Sequence, residues 1–174
     1  RHVIARNVAD SLRKFYPRQF TEIAIPKVEQ QAIFTFDGET ASDWKSLETL
    51  SDDLGFESVH ASKTNSDAPF GATLETTIKS IPDSCRNEIE VRFKVYFEKP
   101  APEVKLVFEF KGQQAENYWH GTDVKVEQAK TWTDFSYRFK MNELNLNTYQ
   151  VIKIYLWNNS DQTVYSDNWV VEFK

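Results

Sequence analysis

The sequence predicts an all-β fold: two antiparallel sheets packed face to face as a jelly-roll β-sandwich, preceded by a short N-terminal amphipathic helix. Three observations carry this. Thirteen Phe, seven Tyr and five Trp stand against five Gly and one Met, and large aromatic side chains suit a pleated, half-buried surface. Segment after segment places its apolar residues on one face of a period-two ribbon. No long helical pattern follows residue 33. At 174 residues the chain can bury a core of its own, so one domain, 33–174, is expected behind a separate segment, 1–32.

In chain order, RHVIARNVADSLRKFYPRQF places Ile4, Val8, Leu12 and Phe15 at helical spacing before Pro17 ends the helix. TEIAIPKVEQQ lacks a clear period and contains Pro26, as an extended connector does. Strands are then expected at IFTF (33–36) and at ATLETTIK (72–79), where Leu74, Thr76 and Ile78 share a face. EIEVRFKVYFE (88–98) alternates most cleanly, with Ile89, Val91, Phe93, Val95 and Phe97 inward. After a turn at Pro100 and Pro102, VKLVFEFK (104–111) puts Val104, Leu106, Phe108 and Phe110 in phase, and the two segments are expected to pair as a hairpin. WTDFSYRFKM (132–141) buries Phe135, Tyr137, Phe139 and Met141; YQVIKIYLWN (149–158) buries Ile152, Ile154 and Leu156 and turns Lys153, Tyr155 and Trp157 outward. In the closing strand Tyr165, Asp167, Trp169, Val171 and Phe173 fall on one face, so an acid shares a face with four bulky apolar residues.

The net charge of −5 argues against nucleic-acid binding, which relies on dense Lys and Arg. Five cations against the single Asp10 leave residues 1–20 at +4, and the remaining 154 then carry −9. The basic helix either lies against anionic lipid headgroups or docks its apolar stripe on protein. Cys85 is alone, which excludes an intrachain disulfide and a thiolate metal cluster. The chain begins with Arg and contains no signal peptide or apolar run of membrane-spanning length, so it is expected to be part of a longer polypeptide. Asn158 in NNS is a glycosylation sequon.

The order of FTFDGETASDW, ASKTNSDAPFG, WTDFSYRF and KIYLWNNSDQTVYSDNWVVE resembles the galactose-binding-like jelly-roll domains, found as carbohydrate-binding modules and as accessory domains of bacterial surface or secreted proteins. The likeness covers residues 33–174. It implies a recognition module, extracytoplasmic, with a glycan as partner, and a structural calcium held by Asp37, Glu39 and Asp167. The competing reading of Asp167 is a buried carboxylate satisfied by backbone amides or by the Trp44 or Trp169 indole, which is the commoner fate of a buried acid.

No catalytic constellation emerges: His2, His60 and His120 stand in no nucleophile or metal spacing, and His120 reads as a loop residue. Sugar recognition needs flat aromatic faces and polar side chains on a rigid support. Tyr118 and Trp119 in the loop AENYWHGTD, with Tyr155 and Trp157 on their strand, supply the first; Arg92 and Arg138, expected on the same face, supply the second. Against this, Trp157 and Tyr155 could pack under a loop, and Trp119 could anchor the connection 112–131. The leading expectation is a non-catalytic, carbohydrate-binding module of an envelope or secreted protein. A protein-contact domain of a membrane-anchored protein comes second, and a glycoside hydrolase third.

Overall fold

The computed structural model describes residues 32–38, 43–100, 102–112 and 116–174; the expected N-terminal helix and connector, and Glu39, lie outside the described residues. The strands are β1 (Ala32–Phe36), β2 (Trp44–Lys45), β3 (Leu50–Ser51), β4 (Ala61–Thr64), β5 (Thr73–Thr77), β6 (Glu88–Phe97), β7 (Val104–Gly112), β8 (Tyr118–Asp123), β9 (Thr133–Lys140), β10 (Tyr149–Asn158) and β11 (Val164–Phe173). They form two antiparallel sheets, one in the order β3-β4-β11-β6-β9 with β1 alongside β11, the other in the order β2-β5-β10-β7-β8. This is the predicted β-sandwich.

Alternation decides the core. Ile89, Val91, Phe93, Val95 and Phe97 of β6 face Leu106, Phe108 and Phe110 of β7 and Ile152, Ile154 and Leu156 of β10, all essentially inaccessible to water. Aromatic rings fill the space between the sheets: Trp169 stacks on Phe93 at 4.1 Å, and Phe108 on Phe139 at 4.7 Å.

Three expectations need correction. The segments either side of Pro100 and Pro102 do not form a hairpin: β6 pairs with β9 and β11, β7 with β8 and β10. Both strands bury their full apolar faces against each other across the sandwich, which pairing within one sheet would forbid. ASKT and YWHGTD, read as loop, are β4 and β8; short strands rich in polar residues and glycine carry too weak an alternation to be seen.

The third correction answers the puzzle of the closing strand. Between Asp167 and Val170 the register with β6 shifts, at a bulge in which Asn168 has φ of 49°. One extra residue flips the parity of the strand. Tyr165 and Asp167 pair with the outward Tyr96 and Lys94, whereas Val171 and Phe173 pair with the inward Val91 and Ile89. Asp167 therefore does not share a face with Trp169. Its fully buried carboxylate accepts hydrogen bonds from Phe56 N (2.9 Å), Ser58 Oγ (3.2 Å) and Asn168 N (2.8 Å), and so ties the 52–60 loop to the sheet. The Trp169 indole donates instead to Ser166 Oγ at 3.2 Å, and the Trp44 indole N–H has no partner among the described residues.

Candidate functional site

The outer face of the β2-β5-β10-β7-β8 sheet brings aromatic and charged side chains together in three rows that cross the strands. Lys153, Glu109 and Trp119 form one row, Tyr155, Val107 and Gly121 the next, and Trp157, Lys105 and Asp123 the third. Val107 points outward yet is 0% exposed, so the rings around it roof the sheet. Trp119 and Trp157 meet edge to face at 5.9 Å.

Gly121 explains how Trp119 lies. A Cβ built on Gly121 would stand 2.5 Å from Cη2 of the indole and 3.0 Å from Cζ3. The six-membered ring therefore rests directly on the glycine, flat against the sheet, while the residue remains 47% exposed. A ring with one face on backbone and the other toward water is a stacking surface. Glycine inside a strand is the sequence sign of such a close approach.

Beside this platform is a depression of about 310 Å³, lined among others by Lys45, Ser46, Phe70, Glu109, Lys153 and Tyr155. Phe70, half exposed, reaches in from the segment before β5, bridges backbone to backbone with Trp157, and sets its ring edge-on to Tyr155 at 5.7 Å. Burial raises the Tyr155 phenol pKa, the Glu109 carboxylate adds to the rise, and the Trp119 side chain offsets part of it, so the phenol stays protonated and can donate. Lys153 Nζ holds Glu75 at 2.6 Å, and that hydrogen bond keeps the Glu75 carboxyl below its usual range. A second depression, about 480 Å³, lies where β7 begins and β8 ends; it has no aromatic wall, and its Lys105 and Asp123 neutralise each other at 2.6 Å.

Of the side chains expected to bind ligand, Trp119, Trp157 and Tyr155 meet on this face. Tyr118, next in sequence to Trp119, points the other way and packs against Phe110 (5.9 Å) and Phe139 (6.2 Å). Arg92 and Arg138 sit on β6 and β9 of the opposite sheet, where Arg138 pairs with Glu90 at 3.2 Å and Arg92 approaches Glu172 at 3.9 Å. The expectation that they flank Tyr155 and Trp157 fails because β6 and β10 belong to different sheets. His120 lies on β8, and its Nε2 meets Tyr137 Oη at 3.0 Å, linking one sheet to the other. Phe70, Lys45 and Gly121 went unread in the sequence; only Trp-x-Gly within a strand offered a signal.

No family model and no curated protein matches the chain. Solved structures match it in fold. The C-terminal family 22 carbohydrate binding module of Clostridium thermocellum Xyn10B superposes with a TM-score of 0.59 at 12% identity, over 80% of this chain and 91% of that one. The CBM22-2 xylan-binding domain from Paenibacillus barcinonensis Xyn10C gives 0.57 at 14% identity, over 81% and 99%. The CBM22-1–GH10 modules of the C. thermocellum xylanase 10B, complexed with xylohexaose, give 0.57 at 18% identity, over 81% of this chain and 28% of that. The chain shares the jelly-roll β-sandwich fold of these carbohydrate-binding modules.

Proposed function

We propose that this domain is a non-catalytic recognition module that binds a polysaccharide on the outer face of the β2-β5-β10-β7-β8 sheet. The observation that carries the reading is the Trp119 indole laid flat over Gly121 with its other face open, beside a depression walled by Phe70 and Tyr155. Flat rings take the apolar faces of pyranoses, and the Tyr155 hydroxyl, Lys153 and Glu109 supply donors and acceptors for sugar hydroxyls. Solved structures of the same fold include xylan-binding domains, which makes xylan the first polymer to try.

Glu75 does not suit the part of a glycosidase acid, which needs a carboxyl whose pKa is raised, because Lys153 moves it in the opposite direction. A binding module for insoluble glycan works outside the cytoplasm and as part of a longer polypeptide, and we propose both for this chain. Among the described residues no helix is long and apolar enough to cross a membrane.

The test is affinity electrophoresis in gels containing soluble xylan or other plant and bacterial polysaccharides. Retardation by one polymer, reduced about tenfold in affinity by Trp119→Ala, is the expected result for loss of a central aromatic contact. Failure of the folded protein to bind any of them would leave a protein-contact domain as the better reading.

Calcium on Asp37, Glu39 and Asp167 is a separate proposal. The described residues hold no cluster of three ligating side chains, and both Asp167 oxygens already accept hydrogen bonds. Gly38, φ 78°, packs on the carbonyl of His60, the same carbonyl that takes the Ser58 hydroxyl. A calcium here would draw Asp167 and backbone oxygens of that corner together. Thermal unfolding with and without chelator decides it: a lower midpoint in chelator supports the ion, and an unchanged one removes it.

A further inference from the structure

The depression beside the platform carries a cation that no described carboxylate pairs with. Lys153 is committed to Glu75 at 2.6 Å, and Glu109 faces Lys111 at 3.4 Å. Lys45 is exposed, and among the described residues no carboxylate lies within ion-pair distance of it; its charge reaches Glu75 only through space. The described lining of the depression holds Lys45 and Lys153 against Glu109, an excess of one positive charge, on a chain whose net charge is −5.

The backbone beside Lys45 is strained and locked. Ser46 has φ 59° and ψ 39°, a left-handed conformation that costs a residue with a Cβ on the order of 1 kcal/mol. Its carbonyl accepts from Thr49 N at 3.2 Å and from Thr49 Oγ1 at 2.8 Å. The same Thr49 hydroxyl contacts Ser62 Oγ at 3.1 Å, and Ser62 Oγ takes Ala72 N at 2.7 Å. Thr49, Ser62 and Ala72 are all buried. A chain of buried hydrogen bonds thus fixes the Lys45–Ser46 corner at the rim of the cavity. Strain maintained by its surroundings beside a cavity points to a positioned group.

We infer that the depression takes an acidic sugar, a hexuronate whose carboxylate pairs with Lys45 while its ring lies against the wall that Phe70 and Tyr155 form together. This rests on the polysaccharide reading of the same face. At about 310 Å³ the space is at the small end of ligand sites and suits one sugar residue rather than a chain. The rest of the polymer then runs across β10 and β7, past Tyr155, toward Trp119 on β8.

The experiment compares two forms of one polymer: a xylan bearing glucuronate side groups, and the same material with its carboxylates reduced to alcohols. Isothermal titration of the full chain is run with both, and with the Lys45→Met variant. The intact polymer is expected to bind about fivefold more tightly than the reduced one, the scale of one exposed ion pair, and the gap should shrink with added salt. Lys45→Met should bind both forms alike, at the affinity of the wild type for the reduced polymer. Equal binding of the two forms by the wild type would overturn the acidic-sugar inference and leave the aromatic platform standing. Binding of neither form by the folded protein would overturn the acidic-sugar inference too, and the polysaccharide reading then falls or stands with the electrophoresis on other polymers.

Discussion

Gly121 shows how much one missing carbon controls. A methyl at this position would enter the space of the Trp119 indole and lift the ring off the sheet. Gly121→Ala is expected to leave the fold intact, because β8 is an edge strand, while shifting tryptophan emission to the red and weakening polysaccharide binding about as much as Trp119→Ala. Asp167 governs a different corner. Replacing it by Ala leaves the amides of Phe56 and Asn168 without their acceptor; at about 1–3 kcal/mol for each buried group left unsatisfied, urea unfolding should register a loss of about 3 kcal/mol. Asn158, the sequon asparagine, is 1% exposed and donates to the Gln162 carbonyl at 2.8 Å, so mass spectrometry of the folded protein incubated with an oligosaccharyltransferase should find it unmodified.

At the scale of the element, alternation was legible wherever a strand had one wet and one dry face. β6, β7 and β10 lie where their periodicity placed them, and Tyr155 and Trp157 point outward as their parity requires. The closing strand was misread because period-two counting assumes an uninterrupted ladder, and the bulge at Asn168 inserts one residue. Asn is among the few residues that adopt the left-handed region readily. Asn168→Gly should therefore be neutral within a few tenths of a kcal/mol, whereas Asn168→Val should lower stability by about 1–2 kcal/mol, as measured by denaturant midpoint. Which strand pairs with which was beyond local pattern. Adjacent segments with matching apolar faces satisfy a hairpin and a face-to-face packing equally well, and that ambiguity put Arg92 and Arg138 on the wrong side of the molecule. Of the binding face, the large aromatics were readable from residue type and parity, while the Lys45–Ser46 corner depends on contacts between segments far apart in sequence.

For the molecule as a whole, the sheet opposite the platform carries an ion network on its outer surface. Lys174 bridges Glu90 and Glu172, and Arg138 reaches Glu90 and Glu88. The hydrogen bond from Lys174 holds the Glu90 carboxyl below its ordinary value of 4.5, with Arg138 adding to it, and the same contact raises Lys174 above 10.5. A carboxyl whose folded value is depressed stabilises the fold fully above its unfolded value and loses that contribution as pH falls through the folded one. The thermal midpoint should therefore drop as pH is taken below 4.5, and less steeply in Lys174→Ala. The raised lysine contributes with the opposite sign, its share being lost as pH rises past 10.5. The position of β11 also constrains how this protein comes into being. β11, the last of the described strands, is an inner one, hydrogen-bonded to β1, β4 and β6, and it carries Trp169, Val171 and Phe173 into the core. A nascent chain that has emerged only as far as β10 lacks the piece that joins its first strands to its middle ones. The domain cannot close until β11 has cleared the ribosome, and a chain lacking that strand would be left with an open seam in one sheet, a substrate for chaperones and proteases rather than a weakened copy of the native protein.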